Sequence, residues 1–321
     1  MCIAVISTAH PLYSLIIIDN RDEYLRRPTS SLDWWPEPSS FVLGSRDLAR
    51  AENGTWMGVT KQGKIAVLTN YRENKSAEAV GWKSRGKIVN SWLTSPPSEQ
   101  QTTRDFVQAM VASPEAKQVG GFSLVCGHIN EPLAIVSNRS HDMDQITWVA
   151  SEKDQTRGLS NTSVDDRTWL KIVDGERLTE TAIKEHAQAQ EDEDALVERL
   201  LQVLSTDTLP RLPEENNNLD DYITYITKSI FVPVLRTEKA AAACADDETK
   251  KSQSNGLMDQ RYFSGLYGTQ KQTVLLARPD GRIRYFERTL YDNQAKAVPI
   301  GQGDKCFEFT VSPEKVNLNR Q

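Results

Sequence analysis

Cys2 follows Met1 directly, and loss of that methionine would leave one residue carrying both a thiol and a free α-amine. The thiolate is the nucleophilic form of cysteine, and the adjoining amine can serve as its base. A free α-amine titrates near ~8 and a free thiol near ~8.5, so a proton can pass between them close to neutrality. The same residue could equally be a small buried hydrophobe in a first strand. What favours chemistry is a second polar group, Asn20-Arg21-Asp22-Glu23, placed after an apolar run.

The elements that must position these residues are two β-branched runs, Cys2–Ser7 and Tyr13–Asp19, separated by a short break with His10-Pro11. This pattern predicts a β-hairpin. The end of the second strand then lies beside the start of the first, which brings Asn20, Arg21 and Asp22 toward Cys2 at one rim. Farther on, strands are expected around Gly44–Gly58 and at Lys64–Tyr71, Gly121–Gly127, Pro132–Asn138, Trp148–Ala150, Thr273–Ala277 and Ile283–Arg288, with a last hairpin within Val298–Val311. Helices are expected at Lys87–Thr94 and Arg104–Ala112, from Thr168, at Leu219–Ile226 and at Glu191–Ser205, the last with acidic residues in its first turn. Arg72, after the Lys64–Tyr71 strand, could line the same cleft as Cys2 or equally form a plain surface pair. Residues 237–256 are small, charged and aperiodic, and read as a flexible insertion.

Composition bounds the function. The 321 residues suffice for a large core, and the net charge of -6 gives no broad electrostatic case for nucleic acid. Mean hydropathy is -0.52. No apolar run approaches the ~20 residues of a transmembrane helix, and no signal-peptide pattern opens the chain. Four Cys (2, 126, 244, 306) lack metal-ligand spacing and suggest a reducing, cytoplasmic setting without a disulfide framework. Four scattered His make an imidazole metal site an unfavourable expectation.

An ordered set of motifs carries a resemblance. Met1-Cys2-Ile3, Asn20-Arg21-Asp22-Glu23, Asn53-Gly54-Thr55-Trp56-Met57-Gly58, Leu68-Thr69-Asn70-Tyr71-Arg72, Gly158-Leu159-Ser160-Asn161 and Tyr267-Gly268-Thr269 occur in this order. Together they resemble the NRDE family, also called the transport and Golgi organisation protein 2 family, over nearly the whole chain as one domain. The resemblance implies an α+β fold like that of N-terminal-nucleophile (Ntn) hydrolases, a four-layer αββα sandwich of two antiparallel sheets. Among those it is most similar to the choloylglycine hydrolase and penicillin V acylase group. That likeness implies Cys2 as nucleophile, Asp22 as the carboxylate holding the α-amine, and Asn161 as an oxyanion donor. Asn20, Arg21 and Arg72 are the implied substrate-binding residues, Arg21 as a bidentate partner for a carboxylate or phosphate. Two positions depart from the pattern. Asp19 stands where those acylases carry an Arg before the Asn, and Gln270, followed by Lys271, stands where NRDE proteins often carry an Arg.

Two function classes stay open. The first is a cytosolic protein of Golgi organisation, protein secretion and intracellular haem or acyl-lipid handling, all implied by the resemblance. It would take a small-molecule or lipid-like ligand, with haem as a ligand rather than a required cofactor, and would touch Golgi or mitochondria peripherally. The second is a Cys2-dependent amidohydrolase or thioesterase.

Overall fold

The computed structural model describes all residues except 72–84, 97–100, 115, 117–118, 214–217, 237–261, 263–264 and 312–321. Arg72 and the expected insertion at 237–256 lie outside the described residues. The first strand pair forms as expected. β1 (Ile3–Ser7) and β2 (Leu15–Tyr24) pair antiparallel, with Ile3 opposite Asn20. β2 is longer than its apolar run, however. Asn20 to Glu23 continue the strand instead of closing it.

The polar run stays extended because β2 is central and has a partner on both sides. In a seven-stranded sheet the order is β13 (Asp304–Thr310), β12 (Arg282–Thr289), β11 (Leu266–Ala277), β2, β1 and β9 (Thr156–Ser160), with β10 (Leu235–Arg236) also on β11. Register runs Tyr24 opposite Tyr267 through Leu15 opposite Ala277, broken once by a bulge between Thr269 and Lys271. The expected terminal hairpin is absent: β13 pairs back onto β12. A second, six-stranded sheet has the order β3 (Val42–Leu43), β4 (Met57–Thr60), β5 (Lys64–Asn70), β6 (Phe122–His128), β7 (Leu133–Ser137) and β8 (Thr147–Val149).

Period-two alternation sorts the side chains into layers. Ala4, Ile6, Leu15 and Ile17 of the first sheet meet Val59, Val67, Val125 and Ile135 of the second. The opposite face of the first sheet, with Ile3, Val5, Ile16 and Ile18, is covered by α3 (Leu170–Ala189) and α4 (Glu193–Leu204) through Ile183, Leu196 and Leu200. The outer face of the second sheet is covered by α1 (Gly86–Leu93) and α2 (Thr103–Ala112) through Trp92, Phe106 and Val107. A short α5 (Leu219–Tyr222) packs near the open end of β11. The result is the four-layer αββα sandwich of two antiparallel sheets.

Two glycines let α3 lie close on the first sheet. A methyl group at Gly175 would come within 3.1 Å of Ile3 and 3.2 Å of Val5, and one at Gly158 of β9 within 3.0 Å of Ile172. This close approach carries the first turn of α3 to the start of β1.

At the other end of the sheet, a buried pair of imidazoles ties the β1–β2 connection to the α3–α4 junction. His10 Nδ1 accepts from the Leu12 N–H at 3.1 Å, so its Nε2 donates to His186 Nδ1 at 3.0 Å. His186 Nε2 in turn donates to the Asp192 carbonyl at 2.9 Å. Burial, reinforced by His186, pushes the His10 pKa from 6.5 down to about 4. The unfolded chain therefore binds a proton that the native one refuses, and stability is lost as pH falls from 6.5 toward about 4. Urea midpoints measured between roughly pH 7.5 and pH 4.5 should fall more steeply for the native sequence than for His10→Gln; parallel curves would exclude His10 as the cause.

Candidate active site

Cys2 sits one residue before β1, so the register places it between Arg21 of β2 and Asn161 just beyond β9. It is half-buried, and its Sγ donates to the Asp22 carbonyl at 3.6 Å. The Ser160 hydroxyl donates to the Cys2 carbonyl at 2.6 Å, and the Thr69 hydroxyl of the second sheet to the Ser160 carbonyl at 3.1 Å. These bonds pin the chain start to both sheets.

The chain start meets a carboxylate on the helix side. Asp22 Oδ2 lies 3.6 Å from the Met1 amino nitrogen and 3.6 Å from Lys171 Nζ. Its Oδ1 accepts from the Thr269 hydroxyl at 2.7 Å. The Met1 amine donates to the Tyr267 hydroxyl, which donates to the Asp22 carbonyl at 3.3 Å. Lys171 Nζ donates to the Met1 carbonyl at 2.7 Å. The side chains of Asp22 and Lys171 have no solvent exposure. Burial lowers the pKa of the Met1 amine and of Lys171, with Asp22 opposing both shifts. Burial likewise raises the Cys2 thiol to about 11. With Met1 in place, Cys2 is therefore a neutral thiol near pH 7.

The remaining sequence-derived candidates divide between the two faces of β2. Asn20 turns toward the helices, where its amide nitrogen donates to the carbonyls of Leu204 at 2.7 Å and Ile230 at 3.0 Å. It ties β2 to the end of α4 and does not face Cys2. Arg21 points between the sheets on the Cys2 side. Its guanidinium lies 4.7 Å over the Trp56 ring, donates to Gln270 Oε1 and stands 3.5 Å from Asp47. Asn161 is buried, and its Oδ1 has no hydrogen-bond partner among the described residues. The two departures from the motif pattern also find places. Gln270 holds Arg21, while Lys271 pairs with Glu287 at 2.7 Å inside the inter-sheet layer. Asp19 faces the same layer; neither carboxyl oxygen has a hydrogen-bond partner among the described residues, and burial pushes its pKa well up.

Residue-level reading of the sequence did not single out Lys171, Tyr267 or Thr269 as site residues. Tyr267 and Thr269 belong to a recognised motif whose roles only the β2–β11 pairing reveals. Lys171 had a weak signal: it shares the buried stripe of α3 with Ile172, Gly175, Thr179 and Ile183, where a lysine is out of place.

Comparison with known proteins follows this geometry. The family model described as Transport and Golgi organisation 2 matches residues 1–292. An uncharacterised protein of Saccharomyces cerevisiae is 27% identical, the match covering 97% of this chain and 100% of the yeast protein. The Bos taurus transport and Golgi organization protein 2 homolog is 28% identical, over 87% of each chain. Among solved structures, a Caenorhabditis elegans N-acylethanolamine-hydrolyzing acid amidase ortholog aligns with 15% identity and a TM-score of 0.42, covering 64% of this chain and 87% of its own.

Removing the one carboxylate would strand two buried nitrogens. Breaking a buried ion pair from one side typically costs about 3–5 kcal/mol. Asp22→Ala should lower the unfolding free energy in urea by about 3 kcal/mol or more; a loss below about 1 kcal/mol would mean that the site does not depend on this charge.

Proposed function

The chain belongs to the Transport and Golgi organisation 2 family, and we propose that within it the protein works as a Cys2-dependent amide or thioester hydrolase serving Golgi organisation, protein secretion and acyl-lipid handling in the cytosol. The observation that carries this reading is the buried Asp22 carboxylate, 3.6 Å from the first amine of the chain. Removal of Met1 would make the Cys2 nitrogen the first amine, one residue further along the chain from the position that the Met1 nitrogen holds beside Asp22. The lone pair of the Cys2 amine takes the thiol proton, and the thiolate attacks the acyl carbon, forming the C–S bond. The oxyanion is stabilised by Asn161 and a backbone N–H, which is often the largest catalytic contribution. The ammonium returns its proton to the leaving amine or thiol as the old C–N or C–S bond breaks, and water then hydrolyses the acyl-enzyme. Arg21, held by Gln270 and Trp56, supplies a fixed cation for a substrate carboxylate or phosphate.

A second reading, a ligand carrier on the same scaffold, is favoured by the Cys2 pKa of about 11 while Met1 is retained. Haem as its ligand finds little fit in the described side chains. His10 and His186 are engaged with each other, and His128 stacks 5.3 Å from Trp92. No step above is routed through haem. Contact with Golgi or mitochondrial membranes is proposed as peripheral, and no helix among the described residues is long and apolar enough to cross a membrane.

Intact mass and thiol alkylation of the purified protein separate the readings. The hydrolase reading expects loss of Met1 and alkylation of Cys2 at pH 7 at least about tenfold faster than a thiol titrating near 11 allows, abolished by Cys2→Ala and slowed by Asp22→Asn. It also expects turnover in a screen of fatty-acyl amides and thioesters. Retained Met1 together with a Cys2 whose labelling rises tenfold per pH unit up to about 11 would overturn it.

A further inference from the structure

We propose that Lys171 is the positioning residue that keeps the N-terminal α-amine neutral, and hence basic, by sharing the single Asp22 carboxylate with it inside the protein. The proposal deepens the hydrolase reading and rests on it for its catalytic meaning, although its physical content concerns the amine alone.

The geometry sets up a count of charges. One carboxylate faces two nitrogens at equal distance, 3.6 Å each. The carboxylate and the lysine are fully shielded from water by α3, β1, β2 and β11. In such a place one ammonium can be balanced by Asp22, and a second would be a buried charge without compensation, which costs several kcal/mol. The proton that is kept goes to the more basic nitrogen. A free lysine titrates at 10.5 and a free α-amine at 8.0, so Lys171 is the intrinsically more basic of the two nitrogens, and burial lowers both. While Met1 is present, Lys171 is further held in its charged form by donating to the Met1 carbonyl at 2.7 Å. The α-amine is the group that gives up its proton.

The other groups facing the site do not change the outcome. Glu23 of β2 favours the charged amine from a distance but pairs with Arg27 at 3.8 Å. Asp19 of β2 lies on the opposite face and is pushed toward its protonated form by burial. Tyr267 of β11 touches the amine directly through its hydroxyl, and Tyr24 stacks edge-on against the Tyr267 ring at 5.5 Å. Cys2 is a thiol until the amine takes its proton. Removing Met1 shifts the first amine by one residue, toward the carbonyl position that Lys171 now holds. The lysine thus meets the new amine at close range.

The chemical consequence is a ready base. An ordinary α-amine is mostly protonated at pH 7 and cannot accept the thiol proton without first losing its own. With Lys171⁺ opposite Asp22, the Cys2 amine carries a free lone pair at neutral pH. Transfer of the thiol proton then creates a thiolate and an ammonium side by side, and the ammonium is later the acid for the leaving group.

The test is competitive acylation of the purified full-length protein with acetic anhydride across pH, read by mass at the N-terminal peptide. The native amine should titrate below 8, whether the first residue proves to be Met1 or Cys2. Lys171→Met should raise that midpoint and slow acylation at pH 7 by roughly tenfold, one pH unit being a factor of ten. Lys171→Arg, which keeps the cation, should hold the native midpoint. A loss of packing alone would not restore the profile in the Arg variant. A native midpoint at or above 8, or an unmoved midpoint in a Lys171→Met protein with native circular dichroism, would overturn the proposal. Cys2 alkylation in the same samples reports separately on the hydrolase reading. A moved amine midpoint with an inert Cys2 sinks the hydrolase and leaves Lys171 in its role.

Discussion

The structure around the chain start depends on one carboxylate that has no access to water. Asp22 has the Lys171 and N-terminal nitrogens as neighbours at 3.6 Å each and Thr269 as a hydroxyl donor. Each partner comes from a different element, so the carboxylate is where β1, β2, β11 and α3 are forced into one arrangement. Burying the charge without all of them would cost several kcal/mol, a large part of the margin of a typical domain. This accounts for features that otherwise look unrelated. Gly175 and Gly158 allow α3 to press on β1 and β9, which delivers Lys171. The bulge after Thr269 lets β11 present its hydroxyl to Asp22 before resuming the register that places Lys271 opposite Arg21.

Much of the fold can be read from period and punctuation. The alternating runs mark most of the strands, and α4 begins where the acidic first turn says it should, with Asp192 accepting from the Ala195 N–H at 2.9 Å. The end of β2 is where that reading fails, and the reason is physical. Asn-Arg-Asp-Glu reads as a rim because four polar residues in a row rarely stay buried. Here each of the first three finds a partner far along the chain: Asn20 the carbonyls of residues 204 and 230, Arg21 the Gln270 side chain, and Asp22 the Thr269 hydroxyl and the Lys171 cation. Partners separated by 149 residues or more leave no trace in a local window. Lys171 was hidden for the same reason, since a lone lysine in the first turn of a helix ordinarily points to water.

The site shows a similar division. The pairing of Cys2 with the polar run follows from antiparallel strands, and Asn161 falls beside Cys2 because β9 pairs with β1. Which face each side chain takes does not follow from the motif letters. Asn20 and Arg21 are neighbours in sequence, yet one braces the helix layer and the other lies over Trp56 between the sheets. Gln270 in place of an arginine has an evident use, because its carbonyl oxygen holds Arg21 while its amide nitrogen donates to the Leu25 carbonyl at 3.1 Å. A second guanidinium there would repel Arg21. The Gln therefore converts two cations into one oriented cation.

Asp19 completes the logic of the inter-sheet face. It is a diagonal neighbour of Cys2 across the β1–β2 ladder, opposite Ala4. An ionised carboxylate at this distance opposes formation of the thiolate, and its charge is among the influences raising the Cys2 pKa. An arginine at the same position would favour the thiolate directly. Here burial and the nearby Asp22 push the Asp19 carboxyl toward the neutral acid. The N-terminal amine, in its charged form, acts on the thiol in the opposite sense to Asp19 and Asp22, lowering its pKa. No hydrogen bond among the described residues stabilises the charged form of Asp19, and burial and Asp22 outweigh Arg21 in raising its pKa.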